Sequence, residues 1–325
     1  MRSASCYQRP LKKAFRIPTK VAALFSVDAM ESVKSQRGQK HHYIPKFYLK
    51  PWCNSSGLLC EFSRPHAIVK PRMTSPDGTG YVRGLNTSET LPDEAANFLE
   101  TQFFLKADNL AAAAMRELLQ GNADLSQEMR NGWTRFIMTL LHRTPEGFAR
   151  ITERITKDLP VQIDRFMRAN DGLLGLSPDA PTLAELSSLI GDRRYLEDLL
   201  LRVLHSNMDS ERVGNVLNQM HWTLLTINHS DFSLLTSDRP ITITLPIGHP
   251  DARLFIPVSP KDIFVAANQP DVLREMNDIV PSRIGRWLND RVARQSRKYV
   301  YAADDRQLRF VSKRLGQKAR WSPLE

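Results

Sequence analysis

The sequence predicts an α+β protein, on three observations taken in chain order. Short apolar or β-branched runs bounded by Gly, Pro and Ser fill the segment before about residue 92. A helical periodicity then holds to about residue 218, and short β-rich runs return up to about residue 303. Strands, then helices, then strands imply a short-stranded, mostly antiparallel sheet with a helical insertion between its N-terminal and C-terminal strands, the two ends of the chain meeting in one sheet.

The first recognisable element is HHYIPKFYLKPW, residues 41–52. Pro45 suits the first position of a helix, where a missing N–H costs nothing, and Pro51 should end it, so a turn or two of helix is expected. Gly57 introduces LLCEF and HAIVKPRM, which read as strands, and PDGTG at 76–80 reads as a turn. From Pro92 the spacing of Ala95, Phe98, Leu99, Gln102 and Phe103 is helical, an Ala-rich continuation runs to Leu119, and Gly121 stands where a helix-ending glycine would. Asp124 with Gln127 resembles a capping box opening a second helix, whose Trp133, Phe136, Ile137, Leu140 and Leu141 make one apolar stripe. In the last third, HWTLLTI, FSLLT, ITITLPI, RLFIPV and DIFVAA read as a meander of strands, followed by a basic amphipathic helix from Pro281 to about Arg297 and the strand KYVYAA. The expected organisation is a basic leader over 1–29, a single α+β domain over 30–303 with its helical insertion at about 92–218, and a basic tail over 304–325.

Hydrophobic residues make up 42% of the 325-residue chain and charged residues 25%, a balance that predicts a folded core rather than a disordered or fibrous chain. No apolar run approaches the roughly 18 residues of a membrane span, so no membrane partner is expected. Cys6, Cys53 and Cys60 are odd in number and lack paired spacing, which argues against a disulfide framework or structural zinc and for a reducing, cytoplasmic location. The net charge of +10 is concentrated at the ends. Six basic residues face only Asp28 in residues 1–29, and twelve face Asp290, Asp304 and Asp305 between Arg283 and Arg320. Met30, followed by ESVKSQRGQK, reads as the natural start, and the residues before it as an artefact of the assigned start.

The Gly-rich phosphate loop, the dinucleotide-binding fingerprint, the G-x-S-x-G elbow and H-E-x-x-H are all absent, which sets aside those enzyme classes. What remains is a scattered polar set. His41 and His42 precede an expected helix N-terminus, whose positive end would keep an imidazole neutral, available as a base or metal ligand, or as a helix cap. Asp238 follows FSLLTS and precedes Arg239-Pro240, placing it at a strand end, where it could serve catalysis or an Asx-type turn. Arg143 falls at the edge of the second helix's apolar stripe and needs a partner, either a carboxylate such as Glu100 or Asp238 or an anionic ligand. The arginines after Pro281 make a basic face suited to phosphate backbones, or simply a solvated one.

HHYIPKFYLKPW, FLETQFF, HRTP at 142–145, LLTSDRP at 234–240, FIPVSP at 255–260 and WLND followed by YVYA together resemble a widespread, mostly bacterial family, domain of unknown function 4238, over about residues 40–302. The resemblance implies that His41, His42, Tyr43, Pro45, Phe47, Tyr48, Glu100, Arg143, Ser237, Asp238, Pro240 and Asn289 belong to its signature. The basic leader has no counterpart there, and the family brings no established activity to carry over. The best reading of the set is a hydrolase acting on phosphate-containing substrates, a nuclease or nucleotide hydrolase. His41 or His42 is then the base, Glu100 and Asp238 acid–base partners or ligands of a divalent metal, and Arg143, Tyr48 and Asn289 substrate-binding. The alternative is a non-catalytic module that binds nucleic acid through its basic C-terminal region, or a protein, the polar signature being a structural network.

Overall fold

A computed structural model of the chain describes residues 40–83, 104–122, 124–169, 200, 202–203, 205–227, 232–277 and 279–317. The leader with Met30, the Glu100 position, residues 318–325 and 170–199 lie outside the described residues. The fold is α+β, and every described strand pairing is antiparallel.

β1 (Lys40–His42) pairs with β4 (Tyr81–Arg83) in a small ladder, and between them lie α1 (Lys46–Leu49), continued by a 3-10 turn through Pro51, and the hairpin of β2 (Leu59–Ser63) and β3 (Lys70–Thr74). Pro51 thus tightens the helix into its 3-10 turn rather than ending it at once. Four helices follow in the described chain: α2 (Leu105–Leu119), α3 (Gln127–His142), α4 (Pro145–Ala169) and α5 (Glu211–Gln219). Then come β5 (His221–Thr226), the two-residue strands β6 (Thr236–Ser237) and β7 (Thr242–Ile243), β8 (Arg253–Pro257), β9 (Asp262–Ala267), α6 (Pro270–Asn277), α7 (Pro281–Gln295), β10 (Tyr299–Ala302) and α8 (Leu308–Ser312).

One four-stranded sheet has the order β3-β2-β10-β6, so the last strand of the chain lies beside an early one, Val300 opposite Phe62. The other, β5-β9-β8-β7, is covered on both faces. Along β9, Phe264 and Ala266 join the core of Trp133, Phe136 and Trp222, while Ile263 and Val265 join Ile284, Leu288 and Val292 of α7. Burial on both faces explains why DIFVAA reads as a continuous apolar run rather than an alternating one. α7 contributes to two cores, because Ala293 packs with Cys60, Phe62 and Val300 of the first sheet. Val311 of α8 and Leu315 in the turns after it belong to the same core, so the folded chain extends past residue 303, where a basic tail was expected.

Helix signals were partly misplaced by the sequence. α3 is capped by Ser126, whose hydroxyl accepts from the Met129 N–H at 3.3 Å, not by Asp124. α2 ends as expected at Gly121, where φ is 84° and paired bonds run from Gly121 to Leu118 and from Asn122 to Glu117. Where α2 meets α3, a Cβ built on Gly132 would lie 2.5 Å from Leu110 Cβ and 3.2 Å from the Leu110 carbonyl carbon. Gly132→Ala therefore gains helix propensity but forces the helix backbones apart. We expect net destabilisation of about 1–3 kcal/mol, read from the midpoint of urea unfolding.

Candidate functional site

Three chain corners meet around β1, and each has a local cause. At the first, α3 ends on Arg143 and α4 begins at Pro145. The Thr144 hydroxyl accepts from Gly147 N–H at 3.1 Å, capping α4, and Pro145 supplies its first residue. A Cβ on Gly147 would stand 2.6 Å from the His142 carbonyl oxygen, so the corner can be this tight only with glycine. At the second, Ser237 ends β6 and its hydroxyl accepts from Arg239 N–H at 3.1 Å, turning the chain. At the third, α7 stops at Gln295 and the backbone from Arg297 to Tyr299 starts β10.

Asp238 joins the second corner to the third. Its carboxylate, 4% exposed, accepts N–H bonds from Arg297 at 2.9 Å, Lys298 at 2.6 Å and Tyr299 at 3.1 Å. The Gln295 side chain also donates to the Arg239 and Ile241 carbonyls. Burial pushes the Asp238 pKa up to about 6 against the pull of those three N–H groups. Asp238 was expected as an acid–base partner or metal ligand. Three of its roughly four acceptor positions go to backbone N–H groups some sixty residues away, an arrangement that fixes where Arg239 and Arg297 leave the fold.

Tyr48 and Asn289 were expected to touch substrate, and the geometry gives them structural work instead. The Tyr48 hydroxyl, fully buried, lies 2.7 Å from both Thr236 Oγ1 and the Pro257 carbonyl oxygen, tying α1 to both large sheets. Asn289 accepts from Leu235 N–H at 2.8 Å and donates to the Ser233 carbonyl at 2.9 Å, tying α7 to the segment before β6. His41 is buried in β1 opposite Val82. Successive strand residues face opposite ways, so the two histidines do not share one ligand.

His42 lies nearer solvent, its ring 5.5 Å from that of Tyr81. Its Nε2 is buried and meets no hydrogen-bond partner among the described residues. Burial holds its pKa below the ordinary histidine value, helped by the Lys46 ammonium and Arg143 guanidinium and opposed by Asp77. Burial thus favours the neutral imidazole, and no helix dipole is needed for it: His42 is in a strand, and α1 has only four residues. Arg143 is 3% exposed, pairs with Asp108 at 3.2 Å and lies 3.8 Å from the centre of the Phe104 ring. Its described carboxylate partner is thus Asp108, not Asp238.

Sequence reasoning named Tyr43 as a signature position without a role and passed over the rest of the junction. Tyr43, next to His42, is buried with its N–H bonded to the Gly80 carbonyl at 2.9 Å. Its phenol is held neutral by burial first and then by the nearby Asp238, Tyr299 and Glu146. Glu146, in the first turn of α4, lies 3.9 Å from the Arg239 guanidinium. Arg239 in turn has its pKa lowered by burial and by the proximity of Arg297 and Arg150. Half-buried Arg150 and Arg239 and exposed Arg297 and Glu146 therefore lie within electrostatic reach of one another. The available signal was LLTSDRP, in which the residue beside Asp238 is itself an arginine. Among the described residues no three His, Cys, Asp or Glu side chains converge to hold a metal ion, and no helix is long and apolar enough to cross a membrane.

The pH dependence of Asp238 has a definite sign. A carboxyl whose folded pKa, about 6, exceeds its ordinary value of 3.8 stabilises the fold fully below pH 3.8 and loses that contribution as pH rises through 6. Relative to Asp238→Asn, the wild type should lose about 3 kcal/mol of unfolding free energy across that window and stay level above it, as measured by urea titrations at each pH.

Compared with known proteins, the chain matches one family model over residues 40–306, described as a protein of unknown function (DUF4238). No curated protein and no solved structure matches it.

Proposed function

The chain belongs to the DUF4238 family of proteins of unknown function, and from that premise we propose that it hydrolyses a phosphate-containing substrate, as a nuclease or nucleotide hydrolase. The proposed site lies where β1, the α3–α4 corner and the turns after β6 and α7 meet. The observation that carries this reading is His42, a neutral imidazole with a buried, unengaged Nε2 within electrostatic reach of Arg143. A neutral imidazole can take a proton from water as the water oxygen bonds to phosphorus and the leaving oxygen departs, and the imidazolium can then protonate that oxygen. The crowded guanidinium groups of Arg239, Arg150 and Arg297 supply planar donors and positive charge for the phosphoryl oxygens. Arg143 acts at one remove, disfavouring protonation of His42 in the resting state.

A second reading, the non-catalytic module binding nucleic acid or a protein, draws support from Tyr48, Asp238 and Asn289. The polar groups of these three signature positions hold elements of the fold together. The two readings part on turnover. With RNA, DNA or nucleoside triphosphates, assayed with and without Mg²⁺ or Mn²⁺, the purified protein should release product. His42→Ala should lower kcat by about 10²-fold or more while substrate binding persists. The acid limb of the wild-type kcat/KM profile should fall below pH 6.5 and vanish in His42→Ala, since that histidine's pKa is lowered. Arg239→Ala should raise KM about tenfold through loss of a charge-assisted contact. Equal turnover by wild type and His42→Ala removes the hydrolase reading and leaves the binding module.

A further inference from the structure

The basic helix α7 ends at the proposed site, and its exposed face is built unlike an ordinary solvated one. Arg283, Arg286 and Arg291 are exposed, and Trp287 between them is half-buried. Arg283, Trp287 and Arg291 stand four residues apart and so line up along the helix axis. The Arg291 guanidinium is 5.9 Å from the centre of the Trp287 ring, and the Arg286 guanidinium is 5.3 Å from that of half-buried Phe232. Trp287 is held by an edge-on contact with Phe255 at 5.0 Å. From residue 281 to 317 ten Lys and Arg face three Asp, and two of those acids already hold arginines: Asp290 holds Arg294 and Arg314, and Asp304 holds Arg306. Surplus positive charge beside fixed aromatic rings is the pairing that binds single-stranded nucleic acid, cations following the phosphates and rings meeting unpaired bases.

The direction of the helix links this face to the site. Two and three residues past its end, Arg297 and Lys298 give their N–H groups to Asp238, and the Arg297 guanidinium lies within electrostatic reach of Arg239. At about 1.5 Å per residue, the path from Arg283 to Arg297 covers about 20 Å, several times the reach of one phosphate group. Resting on the hydrolase reading above, we infer that the substrate is polymeric. It is a single-stranded nucleic acid whose backbone follows Arg283, Arg286 and Arg291 along α7 and delivers a phosphodiester to Arg297 and Arg239. An anionic membrane fits less well, because the apolar stripe of α7, Ile284, Leu288 and Val292, is sealed in the core and cannot enter a bilayer.

The test is fluorescence anisotropy with labelled single-stranded oligonucleotides of increasing length, a labelled mononucleotide, a duplex, and vesicles containing phosphatidylserine. Affinity should rise with oligonucleotide length up to several nucleotides and exceed that for the duplex. The double variant Arg283→Glu/Arg291→Glu should weaken oligonucleotide binding at least tenfold and flatten its salt dependence by about 0.7 per phosphate contact removed, while Lys106→Glu, a charge reversal on exposed α2 surface, leaves both unchanged. Circular dichroism should report the same melting for the double variant as for wild type. Length-independent affinity, equal binding by the double variant, or binding to vesicles without binding to oligonucleotides would each overturn the inference. Oligonucleotide binding that depends on Arg283 and Arg291 without any turnover would instead remove the hydrolase reading and keep the surface.

Discussion

The Asp238 carboxylate, withdrawn from water and shared among three consecutive backbone N–H groups, is the interaction on which the junction depends. It spans about sixty residues of chain, and it adds to the β6–β10 ladder a side-chain anchor shared by the turn after β6 and the start of β10. A buried carboxylate is expensive to desolvate, and its elevated pKa records that cost, yet leaving three N–H donors unmet in the same place would cost more. The two exposed or half-exposed arginines beside it therefore emerge from a rigid base rather than a loose loop, as anion recognition by guanidinium groups requires.

α7 carries this rigidity into the rest of the molecule. Ile284, Leu288 and Val292 bind it to one sheet and Ala293 to the other, while Asn289 pins the segment before β6 by backbone hydrogen bonds. Tyr48 does similar work from the other side, bridging β6 and β8 with one hydroxyl. A third polar knot sits inside the first sheet. Glu61, 2% exposed, receives Arg72 from the neighbouring strand at 3.0 Å and the Thr79 hydroxyl, which in turn meets Tyr301 at 3.0 Å. Each of these groups ties separate elements together, so they specify how the elements are arranged more than they add to net stability.

The class of fold was legible because periodicity is a local property. Trp133, Phe136 and Ile137 announce a helix, and Leu254 to Pro257 a strand, whatever their neighbours do. The pairing of β2 with β10 was also readable in outline, since short strands at both ends of a chain need partners. The roles of the polar residues were not legible to the same degree. Nothing adjacent to Asp238 discloses that its partners are the N–H groups of residues 297–299, and Tyr48 looks the same in sequence whether its hydroxyl meets a ligand or the Pro257 carbonyl. Arg239 and Glu146 were passed over for the converse reason. Each is an ordinary charged residue beside a proline, and only the corners fold them toward each other.

The lengths of the outer strands bear on how the protein behaves in a crowded solution. β6 and β7, which end the two larger sheets on one side, are two residues each. On the other side β3 includes Pro71, which has no N–H to offer, and β5 has α6 packed against it. Among the described residues no edge strand of either larger sheet exceeds six residues, so the row of unpaired peptide groups that each offers a neighbouring molecule is short.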